Sequence, residues 1–327
     1  MYIYHSMKKR LFLILFIFLY STILFATNNP NATQELHFPK AEYIGENTVR
    51  IPFKLVDHLI VIEAEVLNRK GNFIIDTGSQ NLVLNTRHFK NTNSLPSYAR
   101  HSGISSDIDE VRIKWLKKLL VRNFSITNIK SDIIDLSNIE SNKKMSLYGI
   151  IGYNVLKDYE IFIDFHLKQI TLSRIEKNGH KIDNLPYLEE ISDTINFRLK
   201  KHTIILTSFV NKQKLNFGLD TGAEVNLLDK SASKKIIENF KTPKKLIMIG
   251  ASNKEVEVLA GKLYKVKLTD KVYCGPMRTI ITNLSRMNIA YGTELDGVLG
   301  YEFIAMRRII INYKKKQLYF VKLPFNN

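Results

Sequence analysis

The sequence has almost no cysteine. Cys274 is the single one in 327 residues, which excludes any disulfide within the chain and any cysteine-rich zinc site. Glycine and proline are also sparse, at 15 and 8, too few for a linker-rich or low-complexity protein. Acidic residues are in deficit, 31 against 48 lysines and arginines, giving a formal net charge of +17. Hydrophobic residues at 45% and charged residues at 24% fit a globular chain and exclude a disordered one. Chemical motifs are missing too. The 8 histidines form no HExxH and no pair at metal-ligand spacing, so neither a metal nor another cofactor is expected. No G-x-S-x-G, GxGxxG or GxxxxGK[ST] occurs, which leaves no serine-hydrolase elbow and no nucleotide cradle. Cys274, in Tyr273-Cys274-Gly275-Pro276, has no motif around it and reads as an incidental thiol.

Only one long apolar run is present. Lys8, Lys9 and Arg10 precede Leu11 to Ala26, a pattern that reads as a secretory signal at 1–26. The run is shorter than the roughly 20 apolar residues of a spanning helix, and Ser21 and Thr22 interrupt it. An exported chain, periplasmic or secreted and free of the membrane once the signal is removed, is expected, with an uncleaved anchor as the alternative. Thr27 to about Glu46 reads equally as a pro-segment, an edge strand or a tail. The remaining positive charge is scattered among strands and turns, and its densest tract, Lys314-Lys315-Lys316, falls where a hairpin turn is expected. A solvated surface is the expectation, not a nucleic-acid partner.

What is there is a duplication. Phe73-Ile74-Ile75-Asp76-Thr77-Gly78-Ser79 recurs as Phe217-Gly218-Leu219-Asp220-Thr221-Gly222-Ala223. Tyr148-Gly149-Ile150-Ile151-Gly152 recurs as Asp296-Gly297-Val298-Leu299-Gly300. Ile161 to Leu172 parallels Ile309 to Phe320, and Leu59 to Val66 parallels Thr203 to Val210. Four matched features in one order mark a repeated domain. Val49 to Phe53, Leu59 to Val66, Ile161 to Phe165 and Leu263 to Leu268 read as strands, and Ser231 to Phe240 as the best helical stretch. The pattern predicts mostly antiparallel β structure with one closed or half-closed barrel per lobe. The polar stretch Ser173 to Glu190 divides the lobes.

Each Asp-Thr-Gly ends an apolar strand and so delivers a carboxylate at a sharp turn. Gly78 gives that turn its backbone freedom, and the Thr77 hydroxyl can brace it. Two such lobes paired about a pseudo-twofold axis bring Asp76 and Asp220 together. Carboxylates about 3 Å apart cannot both ionise readily, so they share one proton. The ionised member can then activate water while the protonated one polarises a carbonyl. The plain alternative, a turn after a buried strand, suits one copy far better than two in register.

On these residues the chain resembles the aspartic peptidases of the retropepsin and pepsin type, in particular bacterial ones carrying two Asp-Thr-Gly repeats in one chain. The resemblance covers roughly residues 50 to 321. It implies an all-β, two-lobed acid-protease fold, with duplicated closed β-barrel lobes at 27–185 and 186–327 and the active site between them. It implies catalytic carboxylates at Asp76 and Asp220, with Thr77, Gly78, Ser79, Thr221, Gly222 and Ala223 as scaffold. It implies threonines that brace each other across the interface, and an apolar element behind each loop ending at Gly152 and Gly300. The implied activity is endoproteolysis of a peptide or protein substrate, in a site that one chain completes. A non-catalytic peptide-binding protein of the same fold is the alternative. In the second lobe, Gly250, Ala251 and Ser252 fit the tip of a substrate-covering flap; in the first, His101 to Ser105 fills the interval with poor flanking pattern. Ser79, opposite Ala223 in the repeat, predicts that a hydroxyl favours the ionised form of Asp76; its plain alternative is a hydroxyl that only satisfies the turn.

Overall fold

In the computed structural model the described residues are 34–90, 92–96, 101–102, 107–108, 111–183, 189–249 and 255–323. The expected signal at 1–26 and the flap tip Gly250, Ala251 and Ser252 lie outside them. Among the described residues no helix is long and apolar enough to cross a membrane. Strand makes up 54% and helix 11%, as short runs of branched and aromatic residues favour. Three principal sheets and a two-stranded ladder result.

The first half closes into a barrel. Leu59–Val66 turns at Leu67 and Asn68, both at positive φ, onto Arg69–Ile75, the geometry of a two-residue hairpin. The order continues through Leu147–Ile151, Leu82–Asn85, Phe124–Ile134 and Arg112–Val121. The last of these pairs back on the first, with Leu119 opposite Val66 and Leu120 opposite Glu65. Six strands, mixed in direction, thereby close.

The second half follows the same path but does not close, contrary to the expectation of two closed barrels. Thr203–Val210 turns at Asn211 and Lys212 onto Gln213–Leu219, then come Gly297–Leu299, Asn226–Asp229, Met277–Thr282, Glu255–Leu263 and Phe240–Ile249. Val266 and Lys267 do pair with Val210 and Phe209, as Leu119 and Leu120 pair with their partners in the first half. They are cut off from Glu255–Leu263 by Tyr264 and Lys265. Lys265 sits at a left-handed φ of +57°, between the end of one strand and the start of the next. The Tyr264 N–H donates to the Asn239 carbonyl at 2.9 Å instead of to a ladder. The stretch Leu263 to Leu268, expected as one strand, is therefore two. The helical reading of Ser231 to Phe240 likewise contracts to Lys234–Ile237, and Phe240 opens a strand with its ring buried.

The third sheet joins the halves. Its seven strands run Glu42–Gly45, Thr48–Pro52, Gln169–Arg174, Tyr159–Asp164, Arg308–Asn312, Gln317–Val321 and Ile191–Asn196. At its centre Phe162 lies opposite Ile310. Each stands ten residues past the final glycine of its repeat, Gly152 or Gly300, so the pseudo-twofold axis passes between them. On one side of the axis the Arg308 Nε donates to Asp164 Oδ2 at 2.8 Å; on the other, Asn312 Nδ2 donates to Glu160 Oε2 at 2.8 Å. Aromatic side chains repeat the symmetry. Tyr301 of the second half packs edge-on against Phe165, which packs on Phe53; Tyr153 of the first half packs against Tyr313, which packs on Phe197. One apolar core runs continuously from Val49 to Phe320 through both halves.

Asp164 is fully buried and Arg308 is 6% exposed, so truncating the arginine strands a carboxylate away from water. Arg308→Ala is expected to cost about 3–5 kcal/mol, read as a lower urea midpoint at unchanged slope. Adding Asp164→Asn should recover a large part of that loss.

Candidate active site

The two Asp-Thr-Gly loops meet between the halves. Each is launched by a buried strand, Arg69–Ile75 or Gln213–Leu219, whose last residues are wholly apolar. A parallel strand lies beside each. Ile151 is opposite Ile75, and its carbonyl accepts from the Asp76 N–H at 3.0 Å, as the Leu299 carbonyl does from the Asp220 N–H. The chain then crosses behind the loop: the Tyr153 N–H bonds the Ser79 carbonyl at 2.9 Å, and the Tyr301 N–H bonds the Ala223 carbonyl at 2.8 Å. At Gly152 a Cβ would fall 2.5 Å from the Ser79 carbonyl oxygen; at Gly300 it would fall 2.3 Å from that of Ala223. Backbone against backbone at that distance admits no side chain, which is why this element ends in glycine.

The threonines bind each other's loops. The Thr77 N–H donates to Thr221 Oγ1 at 3.0 Å, and the Thr221 N–H donates to Thr77 Oγ1 at 3.0 Å. Each hydroxyl in turn donates to a carbonyl of the opposite strand, Thr77 to Leu219 at 3.3 Å and Thr221 to Ile75 at 2.8 Å. Both threonines are buried, and each uses its hydroxyl as donor and acceptor at once.

This brace puts each carboxylate against the opposite glycine. A Cβ on Gly78 would lie 2.5 Å from Asp220 Oδ2, and one on Gly222 would lie 2.5 Å from the Asp76 Cγ. Neither glycine takes a left-handed φ. Their role is space for the facing carboxylate, in place of the turn geometry expected for Gly78. Asp76 Oδ1 accepts from the N–H groups of Gly78 and Ser79 at 2.8 and 3.0 Å, and Asp220 Oδ1 accepts from Gly222 at 2.8 Å. Asp76 and Asp220 are each half-buried. Burial first, then the charge of the neighbouring Asp220, pushes Asp76 well above the ordinary carboxylate value. The pair is thus built to keep one proton.

The expectation for Ser79 is overturned. Its hydroxyl donates to the Asn81 carbonyl at 3.4 Å, within its own turn. Its backbone N–H, not its hydroxyl, reaches Asp76. Ala223 takes the same place in the second loop, its N–H on the Asp220 carbonyl at 3.3 Å.

Of the flap candidates, Leu246 to Ile249 and Val256 to Leu259 do pair as a hairpin, Met248 opposite Val256. In the first half His101–Ser102 pairs with Asp107–Ile108, and 103–106 lie outside the described residues. Cys274 is buried, and burial pushes its thiol up to about 11, so it is no nucleophile at neutral pH. Among the described residues no cluster could hold a metal ion.

Sequence reasoning missed three participants. Asn226 Oδ1 accepts from the Gly300 N–H at 2.8 Å and so fixes the element behind the second loop; no sequence pattern singles it out. His58 and His202 each precede their aspartate by 18 residues, and extending the repeat upstream would have paired them. No family model matches the chain, and no curated protein matches it.

Two outcomes follow from this geometry. Thr221→Val removes the acceptor of the buried Thr77 N–H and should cost about 1–3 kcal/mol, while Thr221→Ser keeps the brace; urea unfolding of both variants checks this. Because the folded state raises Asp76, stability is greatest below the unfolded value of 3.8 and falls as pH rises through the folded one. Asp76→Asn should therefore melt higher than wild type at pH 7, by about 2–4 °C for each kcal/mol relieved. The gap should narrow as the pH falls toward 3.8.

Proposed function

We propose that the chain is an exported aspartic endopeptidase with the two-lobed acid-protease fold, its active site completed by one chain. The observation that carries this reading is the half-buried pair Asp76 and Asp220, each carboxylate set against the glycine of the opposite loop, with Asp76 pushed well above the ordinary carboxylate range. The reciprocal threonine brace supports it, because a chemical role for the pair requires the two loops to be fixed to within a few tenths of an ångström.

In the proposed reaction a water lies between the carboxylates. The ionised carboxylate takes its proton as the oxygen adds to the scissile carbonyl, and the protonated carboxyl gives its proton to the carbonyl oxygen. The tetrahedral diol then collapses. A hydroxyl proton returns to one carboxylate, the other carboxyl protonates the departing nitrogen, the C–N bond breaks, and the pair is left with one proton again. Neither metal nor covalent intermediate is involved. Thr77, Gly78, Thr221 and Gly222 hold the carboxylates, and Gly152 and Gly300 hold the loops from behind.

The substrate is read as an extended peptide. Phe240–Ile249 is the outer strand of the second-half sheet, and its free edge suits backbone pairing with such a chain. Nucleic acid and membrane are not part of this reading.

The test is incubation of the mature chain with a diverse peptide library from pH 3 to 8, with cleavage read by mass spectrometry. Asp76→Asn and Asp220→Asn run alongside. Cleavage by the wild type, reduced at least about 10³-fold in each single variant, is the expected result. A folded wild type that cuts nothing across that range would instead favour a peptide-binding protein of the same fold.

A further inference from the structure

The two histidines that precede the loops are equivalent in the repeat but not in their surroundings. His58 is half-buried, its Nδ1 3.2 Å from the Glu224 carbonyl and its ring stacked on Tyr301 at 4.1 Å. His202 is 5% exposed, and neither of its ring nitrogens has a hydrogen-bond partner of ordinary geometry. Ile204 lies opposite Leu219 in the ladder, which sets His202 beside the loop of Asp220, and the Gly78 carbonyl of the opposite half and the Asp220 charge both favour a proton on its ring. The edge of Tyr291 closes the other side at 5.0 Å. A buried imidazole with no partner is costly, and this one lies beside a pair of carboxyl groups.

We propose that His202 is a positioning residue for the dyad: as an imidazolium it donates to the Gly78 carbonyl and lends positive charge to Asp220, so that it sets how acid the medium must become before the pair takes a second proton. The proposal rests on the peptidase reading and adds to it the residue that fixes the acid limit of activity.

The groups facing His202 are few. Lys201, its neighbour on the turn, opposes protonation, and burial opposes it more strongly; the Gly78 carbonyl and Asp220 favour it. Tyr291, from the helix Ser285–Tyr291, presents a phenol that burial and both aspartate charges keep protonated. The balance holds the imidazole below its ordinary value of 6.5. It therefore becomes cationic only as the medium turns more acid, the same direction in which the dyad approaches its second proton. The sign follows. A cation beside the pair favours the ionised carboxylate, so it moves the acid limb of the rate profile to lower pH. At the alkaline limb the ring is neutral and has no such effect. His58 keeps its own acceptor and stacking partner and has no part in this coupling.

Two measurements on the full chain test it. The first is an NMR titration of the His202 Cε1–H, assigned by its disappearance in His202→Gln, in wild type and in Asp220→Asn. Loss of the Asp220 charge should lower the His202 midpoint further; an unmoved midpoint overturns the proposal. The second is the pH profile of peptide cleavage. His202→Gln should raise the acid limb by roughly one pH unit, about tenfold in rate on that limb, and leave the alkaline limb in place. His58→Gln should move neither limb. Equal loss at every pH in His202→Gln would mean a structural role only, and overturns the proposal. If His202→Gln does not fold, His202→Phe gives the same profile test, and the Asp220→Asn titration leaves position 202 untouched. A wild type that cleaves nothing sinks the peptidase reading, while the titration still decides whether His202 and Asp220 are coupled.

Discussion

Thr77 and Thr221 each carry the backbone of the other's loop, and the rest of the structure depends on that exchange. Four hydrogen bonds satisfy two N–H groups and two carbonyls at the most buried point between the halves. Two like-charged carboxyl groups would otherwise push the loops apart. The brace holds them together, and the bare faces of Gly78 and Gly222 leave room for the facing carboxylates. It works only if the halves are already in register, which the central sheet supplies through the antiparallel pairing of Tyr159–Asp164 with Arg308–Asn312. A buried arginine–aspartate pair on one side of the axis and an asparagine–glutamate pair on the other tie that sheet down. The energetic logic is one of satisfaction more than attraction: buried polar groups cost little only when every one has its partner.

Much of this was legible in the sequence because duplication makes each signal testable against its twin. The hairpins before each Asp-Thr-Gly, the parallel element ending at Gly152 or Gly300, and the turn at Lys314 to Lys316 all read directly from apolar runs and their breaks. What could not be read was conformation that belongs to one backbone torsion. Leu263 to Leu268 has the composition of a single strand, yet the strand stops at Leu263, Lys265 adopts a left-handed φ, and the second barrel is open. No propensity marks a lysine for that. Ser79 failed for another reason. A serine one residue past the glycine can reach a carboxylate or its own turn, and the choice depends on where Asn81 presents its carbonyl. Asn226 and His202 act across the fold on partners 74 and 124 residues away, a separation at which local pattern carries no information.

The two halves differ in length at the outer edge of their sheets. In the first half Arg112–Val121 is held on both sides, by Phe124–Ile134 and by Leu59–Val66. In the second, Glu255–Leu263 pairs with Met277–Thr282 and Phe240–Ile249, so Phe240–Ile249 is left as an outer strand. Its Leu246 and Ile247 are exposed, and Lys241, Lys244 and Lys245 stand along it. Lysines on an outer strand discourage pairing with a second copy of the same chain, yet leave the backbone open to an extended peptide. The closed half has an outer strand as well, Leu95–Pro96 against Arg112 and Ile113, but a much shorter one.

A symmetric frame around two identical carboxylates would make them equivalent, and an equivalent pair has no preferred member for its proton. The chain keeps the frame symmetric and varies what surrounds it. Asp57-His58 in one repeat becomes Lys201-His202 in the other, and Phe165 becomes Tyr313, whose phenol is buried without a partner. Burial keeps that phenol protonated, with the charges of Asp76 and Asp220 adding to the effect. Each change makes the charge or polarity on one side of the axis differ from that on the other. Asp76 gains a second backbone donor through Ser79, while Asp220 faces a buried imidazole. The backbone brace fixes where the carboxylates are, and these differences between the repeats give the two carboxylates different surroundings.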